Sequence, residues 1–380
     1  MRNNNLYRFV FCLFGCLIFL ILDSILGYSR SVAADKIVVR YGLFEQSLPI
    51  ADIRKYGETK KVSSDLQSFL GYLDTQQQQQ LQSALQVKMS LDIVALNKLV
   101  DAPISKLILS GASRAIARRD KAGIPALRSA IILGAKSPEG LGISSFIEAY
   151  PSNRLIIDVP ATLDLIKKSK LFSGSSEPTK KDNLTSSPLW EVQLQYQVFA
   201  TENKQFSGCL FGDSISAGLG NTLGQGNFNF GLNGLSSISL VEQLKRLNPT
   251  KLKCEKAIIA VGGNDAWYNL TDDLFSSKLK EAIALVRTSG TKDIFLIPAF
   301  YSTVAASQDP NVSAPLAKVE QINAVMLQVA ATENVPVVAE GVAPLYDNNV
   351  LKANLTSDGD HLNTEGLKIY RQALLDILKK

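Results

Sequence analysis

The spacing of apolar residues changes once along the chain, and this change divides the chain into two parts. From residue 35 to residue 171, apolar positions recur three or four residues apart, which is the period of an amphipathic helix. Helices with this spacing are predicted to open at Ser64 and to cover residues 91–99, 104–116, 124–133 and 160–166. One short strand is predicted over 36–41, so residues 35–171 are expected to form a mostly α-helical accessory domain.

A polar, serine-rich stretch at residues 172–189 has the composition of a linker. Apolar and polar residues then alternate from Trp190 to Val198, which predicts a half-buried strand. Further apolar strands (209–211, 227–230, 257–261, 293–298, 335–338) alternate with amphipathic helices (236–247, 272–288, 314–332, 364–378). Such alternation predicts that residues 190–380 form an α/β domain with a parallel sheet between helices.

The N-terminal residues 1–34 have the layout of a secretory signal peptide. Two arginines precede an apolar run over 9–22, and small residues lead into Asp35. The run is shorter than the about 20 residues that span a bilayer, although an uncleaved anchor is the alternative. We therefore expect an exported protein that is periplasmic, extracellular or associated with the cell envelope.

Composition excludes some partners and leaves one question about the cysteines open. The net charge is only +5, and no basic block is interleaved with aromatic residues, which argues against nucleic-acid binding. Cys12 and Cys16 lie in the leader, and no Cys/His spacing indicates a metal site. The remaining pair, Cys209 and Cys254, either forms a disulfide in an oxidising compartment or consists of two small buried thiols.

Candidate chemistry begins at Ser214, in a turn that follows the predicted strand 209–211. Glycine, aspartate and serine are common in ordinary turns, but ligands of parallel sheets bind beyond the carboxyl ends of the strands. A nucleophilic serine needs a base, and the chain contains a single histidine, His361. Asp358, three residues earlier, is placed to orient that imidazole, with Asp360 as the competing carboxylate.

Acyl transfer also needs hydrogen-bond donors for the oxyanion. Gly234 ends a glycine-containing loop, and Asn264 follows the apolar strand 257–261 with a side-chain amide. Each alone is equally well explained as part of a glycine-rich turn. Trp267 and Tyr268, just beyond, are predicted either to line a substrate pocket or to form a packed pair of loop aromatics.

Four blocks of sequence in fixed order carry a family resemblance. They are Gly212-Asp213-Ser214-Ile215, residues 229–234, Gly262-Gly263-Asn264-Asp265, and Asp358-Gly359-Asp360-His361. Over residues 205–380 the chain resembles the SGNH (GDSL) hydrolases, with isoleucine at position 215 where leucine is usual. The resemblance implies a flavodoxin-like, three-layer α/β/α fold and a serine esterase or acyltransferase that needs no metal or cofactor.

The same resemblance implies roles for individual residues. Ser214 would be the nucleophile, His361 the base and Asp358 the residue that orients it. The oxyanion hole would consist of the Ser214 and Gly234 backbone N–H groups and the Asn264 amide.

The first part of the chain carries a second, less specific resemblance. Residues 34–42 and 63–66 are similar to a helical domain of unknown function that precedes some bacterial alpha/beta-hydrolases. This likeness brings no catalytic residues, so the helical part is expected to serve envelope attachment or substrate presentation.

The sequence therefore predicts a secreted or periplasmic serine esterase that hydrolyses a small-molecule, lipid or saccharide ester through an acyl-enzyme. One alternative is an acyltransferase or O-acetyl esterase that acts on envelope polysaccharide. A non-catalytic envelope-binding protein with a vestigial site is the other.

Overall fold

The computed structural model describes residues 34–118, 122–168, 181–224 and 226–379. These residues form two compact units, divided between residues 174 and 175. Residues 1–33 of the predicted leader and residues 172–180 of the predicted linker lie outside the described residues. Among the described residues, no helix combines the length and the apolar character needed to cross a bilayer.

The N-terminal unit contains a three-stranded sheet of β1 (Lys36–Tyr41), β2 (Phe44–Pro49) and β3 (Arg154–Asp158). Strand β1 is central, pairing antiparallel with β2 and parallel with β3. Only β1 is predicted from the sequence. Strand β2 (FEQSLP) lacks a regular alternation of apolar and polar residues, and the apolar run of β3 is only three residues long, so the local signal for both is weak. Strand β3 also pairs with a strand more than 100 residues earlier.

Helices make up most of the rest of this unit, as predicted. They are α1 (Ile50–Thr59), α2 (Ser64–Leu70), α3 (Thr75–Gln86), α4 (Ile93–Asp101), α5 (Pro103–Ala115), α6 (Gly123–Ala135), α7 (Ile143–Glu148) and α8 (Val159–Lys168). The cap of α2 lies one residue earlier than the sequence indicates, because the Ser63 hydroxyl accepts the Leu66 N–H. The buried face of α2, which includes Phe69, joins an apolar core.

Near the start of the C-terminal unit, a helix replaces the predicted strand. Residues 190–198 are not a strand but belong to helix α9 (Pro188–Thr201), which starts with proline and is capped by Ser187. The alternation misleads because the apolar residues at alternate positions lie on several sides of a helix that is buried on more than one side, and one polar position is buried as well. Gln197 is this position, and its buried amide donates to the Phe230 carbonyl at 3.2 Å.

In chain order, the remaining elements are β4 (Gln205–Gly212), α10 (Ser214–Ala217), β5 (Thr222–Gly224), β6 (Asn227–Asn229), α11 (Ser237–Leu247), β7 (Lys253–Ala260), α12 (Gly263–Trp267), α13 (Asp272–Thr288), β8 (Asp293–Leu296), α14 (Val304–Ser307), α15 (Leu316–Glu333), β9 (Tyr346–Asp347), β10 (Val350–Leu351) and α16 (Thr364–Lys379). They include the predicted strands β4, β6, β7 and β8 and the predicted helices α11, α13, α15 and α16, with further short elements between them. The main sheet has the order β5-β6-β4-β7-β8. All its neighbours are parallel except β5 and β6.

The predicted strand at 335–338 is reduced to an isolated parallel bridge between Val337 and Leu296. Leu296 donates to the Pro336 carbonyl and accepts the Val338 N–H. Pro336 has no N–H of its own, and proline limits the extension of a strand ladder.

Both faces of the sheet are covered. On one face Leu210 of β4 joins a core cluster with Tyr370 of α16. The next residue, Phe211, points to the opposite face, where it shares the walls of a small cavity with Leu244 of α11 and Val286 of α13. The predicted α/β fold with helices on both sides of a parallel sheet is confirmed.

A disulfide joins Cys209 of β4 to Cys254 of the neighbouring strand β7. The two Cα atoms are 5.8 Å apart, within the range that a disulfide bridges. Of the two alternatives that the sequence left open, the structure has the disulfide.

Candidate active site

The site lies where three parallel strands end. Because β4, β6 and β7 run in the same direction, the loops that follow them meet at one edge of the sheet. Two backbone hydrogen bonds join these loops: Leu232 N–H donates to the Gly212 carbonyl at 2.9 Å, and Asp213 N–H donates to the Ala260 carbonyl at 3.3 Å. The sequence blocks around positions 214, 234 and 264 are thereby held side by side.

Ser214 is the first residue of α10, directly after a tight turn. Asp213 caps this short helix by accepting the Ile215 N–H at 3.0 Å, and burial raises the pKa of its carboxyl to about 7. A Cβ atom at Gly212 would lie 2.1 Å from the Ser216 hydroxyl, so only glycine fits there. These contacts set the direction in which the serine side chain leaves the strand.

The structure brings Ser214, His361 and Asp358 into a continuous chain of hydrogen bonds. His361 Nε2 is 3.0 Å from Ser214 Oγ, and His361 Nδ1 is 2.8 Å from Asp358 Oδ2. Asp358 also accepts the backbone N–H of His361 at 2.7 Å, which closes a small ring between the two residues. This is the geometry in which a carboxylate selects the imidazole tautomer that can receive a serine proton.

The competing carboxylate is directed elsewhere. Asp360 Oδ2 is 3.9 Å from His361 Nδ1, and Asp360 Oδ1 accepts a hydrogen bond from Ser313 at 2.6 Å. Asp360 therefore acts on the imidazole only through its charge, whereas Asp358 is hydrogen bonded to it.

Pairing with the carboxylate changes the acid–base properties of both groups. The hydrogen bond to Asp358 raises the pKa of His361 to about 9, against the opposing effect of burial. Burial disfavours the Asp358 carboxylate, but the hydrogen bonds it accepts from His361 outweigh burial and lower its pKa to about 2. The imidazole is thus a stronger base than free histidine, and the aspartate stays ionised at neutral pH.

The three predicted oxyanion donors belong to the loops at this edge of the sheet. Among the described residues, the backbone N–H groups of Ser214 and Gly234 have no acceptor. Gly234 has a φ of +78°, which glycine adopts readily. The Asn264 amide donates one N–H to the Leu235 carbonyl at 3.2 Å, and an amide carries a second. Each of the three groups thus has an N–H without an acceptor among the described residues, and their role as an oxyanion hole stays a prediction.

The two predicted pocket aromatics make defined contacts within the protein. Tyr268 donates to the Gly234 carbonyl at 3.4 Å, and burial raises the pKa of its hydroxyl to about 12. Trp267 donates from its ring nitrogen to the Pro310 carbonyl at 3.0 Å. Tyr268 therefore contacts the Gly234 loop, while a role of either ring in binding substrate stays a prediction.

Two acidic residues at the site make contacts that the sequence does not predict. Asp265 is fully buried and accepts the N–H and the hydroxyl of Ser237, at 2.9 and 2.5 Å, while burial raises its pKa to about 6. Asp182, within the predicted linker, accepts the hydroxyl of Ser236. Consecutive serines just before an amphipathic helix signal a cap, but no local pattern reveals which carboxylates they bind.

Within the described ranges, no cluster of His, Cys, Asp and Glu has the composition of a metal site.

Comparison with protein families decides the affiliation of the C-terminal part. Residues 210–369 match the model of the GDSL-like lipase/acylhydrolase family. These residues are a GDSL-like lipase/acylhydrolase domain. The domain accordingly belongs to a class of enzymes that hydrolyse esters, and the resemblance seen in the sequence blocks is confirmed. Residues 33–158 match the model described as an alpha/beta hydrolase of unknown function, DUF1400, which confirms the second resemblance.

Solved structures similar to this chain come from several bacteria. One is a GDSL-like lipase from Bacteroides thetaiotaomicron, with 19% sequence identity, coverage of 49% of this chain and 98% of that chain, and a TM-score of 0.39. A lipase/acylhydrolase from Enterococcus faecalis has 22% identity, coverage of 46% of this chain and 95% of that chain, and a TM-score of 0.36. A catalytic mutant of an acetylxylan esterase from Geobacillus stearothermophilus has 18% identity, coverage of 47% of this chain and 94% of that chain, and a TM-score of 0.37. No curated protein sequence matches the chain.

Proposed function

We propose that this protein is a serine esterase that cleaves a carboxylic ester through an acyl-enzyme. The observation that carries the proposal is the hydrogen-bond chain from Ser214 through His361 to Asp358, with heavy-atom distances of 3.0 and 2.8 Å. A serine alone is a poor nucleophile at neutral pH, and a base within hydrogen-bond reach is what activates it.

In the first half-reaction, Ser214 Oγ attacks the ester carbonyl carbon while His361 Nε2 takes the hydroxyl proton. The carbonyl oxygen becomes an oxyanion, which the N–H groups of Ser214, Gly234 and Asn264 stabilise. The bond to the leaving alcohol then breaks, and His361 returns its proton to the alcohol oxygen. Ser214 is left as an ester of the substrate's acyl group.

In the second half-reaction, His361 Nε2 takes a proton from water as the water oxygen attacks the acyl carbon. The second oxyanion collapses, the bond to Ser214 Oγ breaks, and the proton moves from His361 to the serine. Asp358 stays ionised throughout and stabilises the imidazolium each time it forms. The products are a carboxylic acid and an alcohol.

The test combines active-site labelling with turnover. A fluorophosphonate should label the protein once, at Ser214, and p-nitrophenyl esters of increasing acyl length should reveal the preferred substrate. Ser214→Ala should abolish both labelling and turnover. Undiminished hydrolysis by a well-folded Ser214→Ala variant would rule out this mechanism. Transfer of the acyl group to an added saccharide in preference to water would assign the acyltransferase alternative instead.

Export is part of the proposal, and two observations support it. The composition of residues 1–34 is that of a signal peptide, and a buried disulfide joins Cys209 to Cys254, as is common in oxidising compartments. Cell fractionation with a thiol-alkylation assay tests it: a mature protein outside the cytoplasm with both cysteines oxidised is expected, and a cytoplasmic, reduced protein would contradict it.

A further inference from the structure

The C-terminal part of the predicted linker lies against the candidate active site. Asp182 accepts a hydrogen bond from the hydroxyl of Ser236, two residues after Gly234. The 3₁₀ turn Leu184–Ser186 follows, and Leu184 Cδ1 is 3.9 Å from the point where a Cβ atom on Gly234 would lie. Both contacts reach the loop that carries a candidate oxyanion donor.

The Asp182 carboxylate is itself held in place. Its Oδ1 atom accepts the backbone N–H of Leu184 at 3.0 Å, while the other oxygen accepts the Ser236 hydroxyl. Helix α9 begins only six residues later, so the segment is anchored to a regular element of the same unit. Because the Leu184 N–H holds the Asp182 carboxylate in one orientation, the carboxylate can also hold the Ser236 hydroxyl in place.

Ser236 is fully buried and connects this carboxylate to the helix behind the loop. Its Oγ atom accepts the Ile238 N–H at 3.1 Å, and its backbone N–H donates to Ser239 Oγ at 2.9 Å. The hydroxyl proton of Ser236 has Asp182 as its acceptor. Removing that carboxylate leaves a buried hydroxyl proton unpaired, which is costly enough to displace the residue.

The loop around Gly234 is therefore held at both ends. On one side the Leu232 N–H is bonded to Gly212, next to the nucleophile turn; on the other, Ser236 is bonded to Asp182. Between these two anchors lies the free N–H of Gly234, whose glycine backbone has little intrinsic stiffness. The direction of this donor depends on both anchors.

We propose that Asp182 is a positioning residue that, through Ser236, aims the Gly234 N–H at the substrate oxyanion. The inference rests on the proposed esterase function and extends it, because Asp182 lies outside residues 210–369 that match the family model. Asp182 lies in the same compact unit as these residues, so part of the predicted linker contributes to the proposed catalytic site.

The expected effect is on turnover rather than on binding, because an oxyanion donor acts when charge develops on the oxygen. In the full chain, Asp182→Ala should lower kcat by about 10- to 100-fold, less than the ~10²–10³-fold that loss of a whole donor costs. The KM for a p-nitrophenyl ester should change by no more than about twofold. Asp182→Asn should lose less, since the amide oxygen still accepts the serine proton.

The matched control is Asp293→Asn. This exposed aspartate begins β8, at the amino end of the parallel sheet and so opposite the site, and its change removes the same charge. It should leave both kcat and KM unchanged. Titration of a parallel sample with a fluorophosphonate expresses kcat per competent site, so that partial unfolding of a variant does not count as lost turnover.

Ser236→Ala should reproduce the Asp182→Ala loss, and the double variant should lose little more, because the two act in series. Hydrogen exchange of the peptide that contains Gly234 should accelerate in both single variants. An unchanged kcat per competent site in Asp182→Ala, or fully additive losses, would overturn the inference. A wild-type protein that neither hydrolyses esters nor reacts with the phosphonate would instead refute the proposed function. In that case, the hydrogen-exchange rate of the Gly234 peptide in the variants would still test whether Asp182 and Ser236 hold this loop.

Discussion

Asp358→Asn tests the catalytic acid–base arrangement at its most sensitive point. The variant keeps the shape of the side chain and removes its charge. In the structure that carboxylate accepts two hydrogen bonds from His361, at 2.8 Å from the ring and 2.7 Å from the backbone. It is the main reason why the pKa of His361 rises from the ordinary 6.5 to about 9.

The direction in which the pKa of His361 changes follows from the charge of the Asp358 carboxylate. The carboxylate stabilises the protonated imidazole, so its loss lowers the pKa of His361 and leaves the base neutral down to a lower pH. The acid limb of kcat/KM should move from near pH 9 toward pH 6.5, a shift of about 2.5 pH units. In the variant, burial of the ring continues to lower its pKa, while the charges of Asp360 and Asp213 continue to raise it.

Turnover on the plateau should fall at the same time. An amide in place of the carboxylate favours the wrong imidazole tautomer and no longer stabilises the imidazolium, a change that costs about 10⁴-fold in kcat in serine hydrolases of this geometry. The variant is thus expected to be much slower than wild type yet active to lower pH.

The assay measures kcat/KM for a p-nitrophenyl ester from pH 5 to pH 10, corrected for spontaneous hydrolysis. Because His361 is the only histidine, its ring protons give a single set of histidine NMR signals, and their titration reports the same pKa without turnover. The matched control is Asp360→Asn, which removes an equal charge 3.9 Å from the ring. A limb that stays in place in Asp358→Asn, or that moves equally in both variants, would refute the reasoning.

Three further predictions concern the rest of the site and the fold. Asn264→Ala should lower kcat by ~10²–10³-fold as one oxyanion donor is lost, and a steady-state loss below about tenfold would remove this amide from the oxyanion hole. Replacing Cys209 and Cys254 together by alanine should lower the free energy of unfolding by about 2–4 kcal/mol, since the bridge closes a loop of sequence separation 45; urea unfolding curves that coincide with wild type would contradict this. Gly212→Ala should displace the nucleophile turn because its Cβ would meet Ser216, so phosphonate labelling should slow at least tenfold, and labelling at the wild-type rate would disprove the steric argument.

The places where sequence reasoning erred have a common origin in tertiary contacts. The alternation at 190–198 predicts a strand, but the segment is a helix that is buried on more than one side, with Gln197 bonded to Phe230. Strands β2 and β3 exist because β1 offers them partners. The bridge at Val337 stays short because a proline precedes it. In each case the deciding interaction comes from residues that are distant in sequence or from a missing backbone donor.

By itself, the sequence determines the alternation of strands and helices in the C-terminal domain and the chemical types at the ends of its strands. The period of apolar residues depends only on local backbone geometry, and a nucleophile, a base and amide donors are recognisable as residue types. It also ranks Asp358 above Asp360, because three residues of separation let a carboxylate turn back to the imidazole.

Only the tertiary structure decides how these groups are combined. It brings Ser214 to within 3.0 Å of a histidine that lies 147 positions further along the chain, pairs the two cysteines, and sets Asp182 of the predicted linker against the Gly234 loop. The physical reason is that parallel strands gather the ends of distant segments at one edge, where distances, burial and pKa values depend on neighbours that no local pattern specifies.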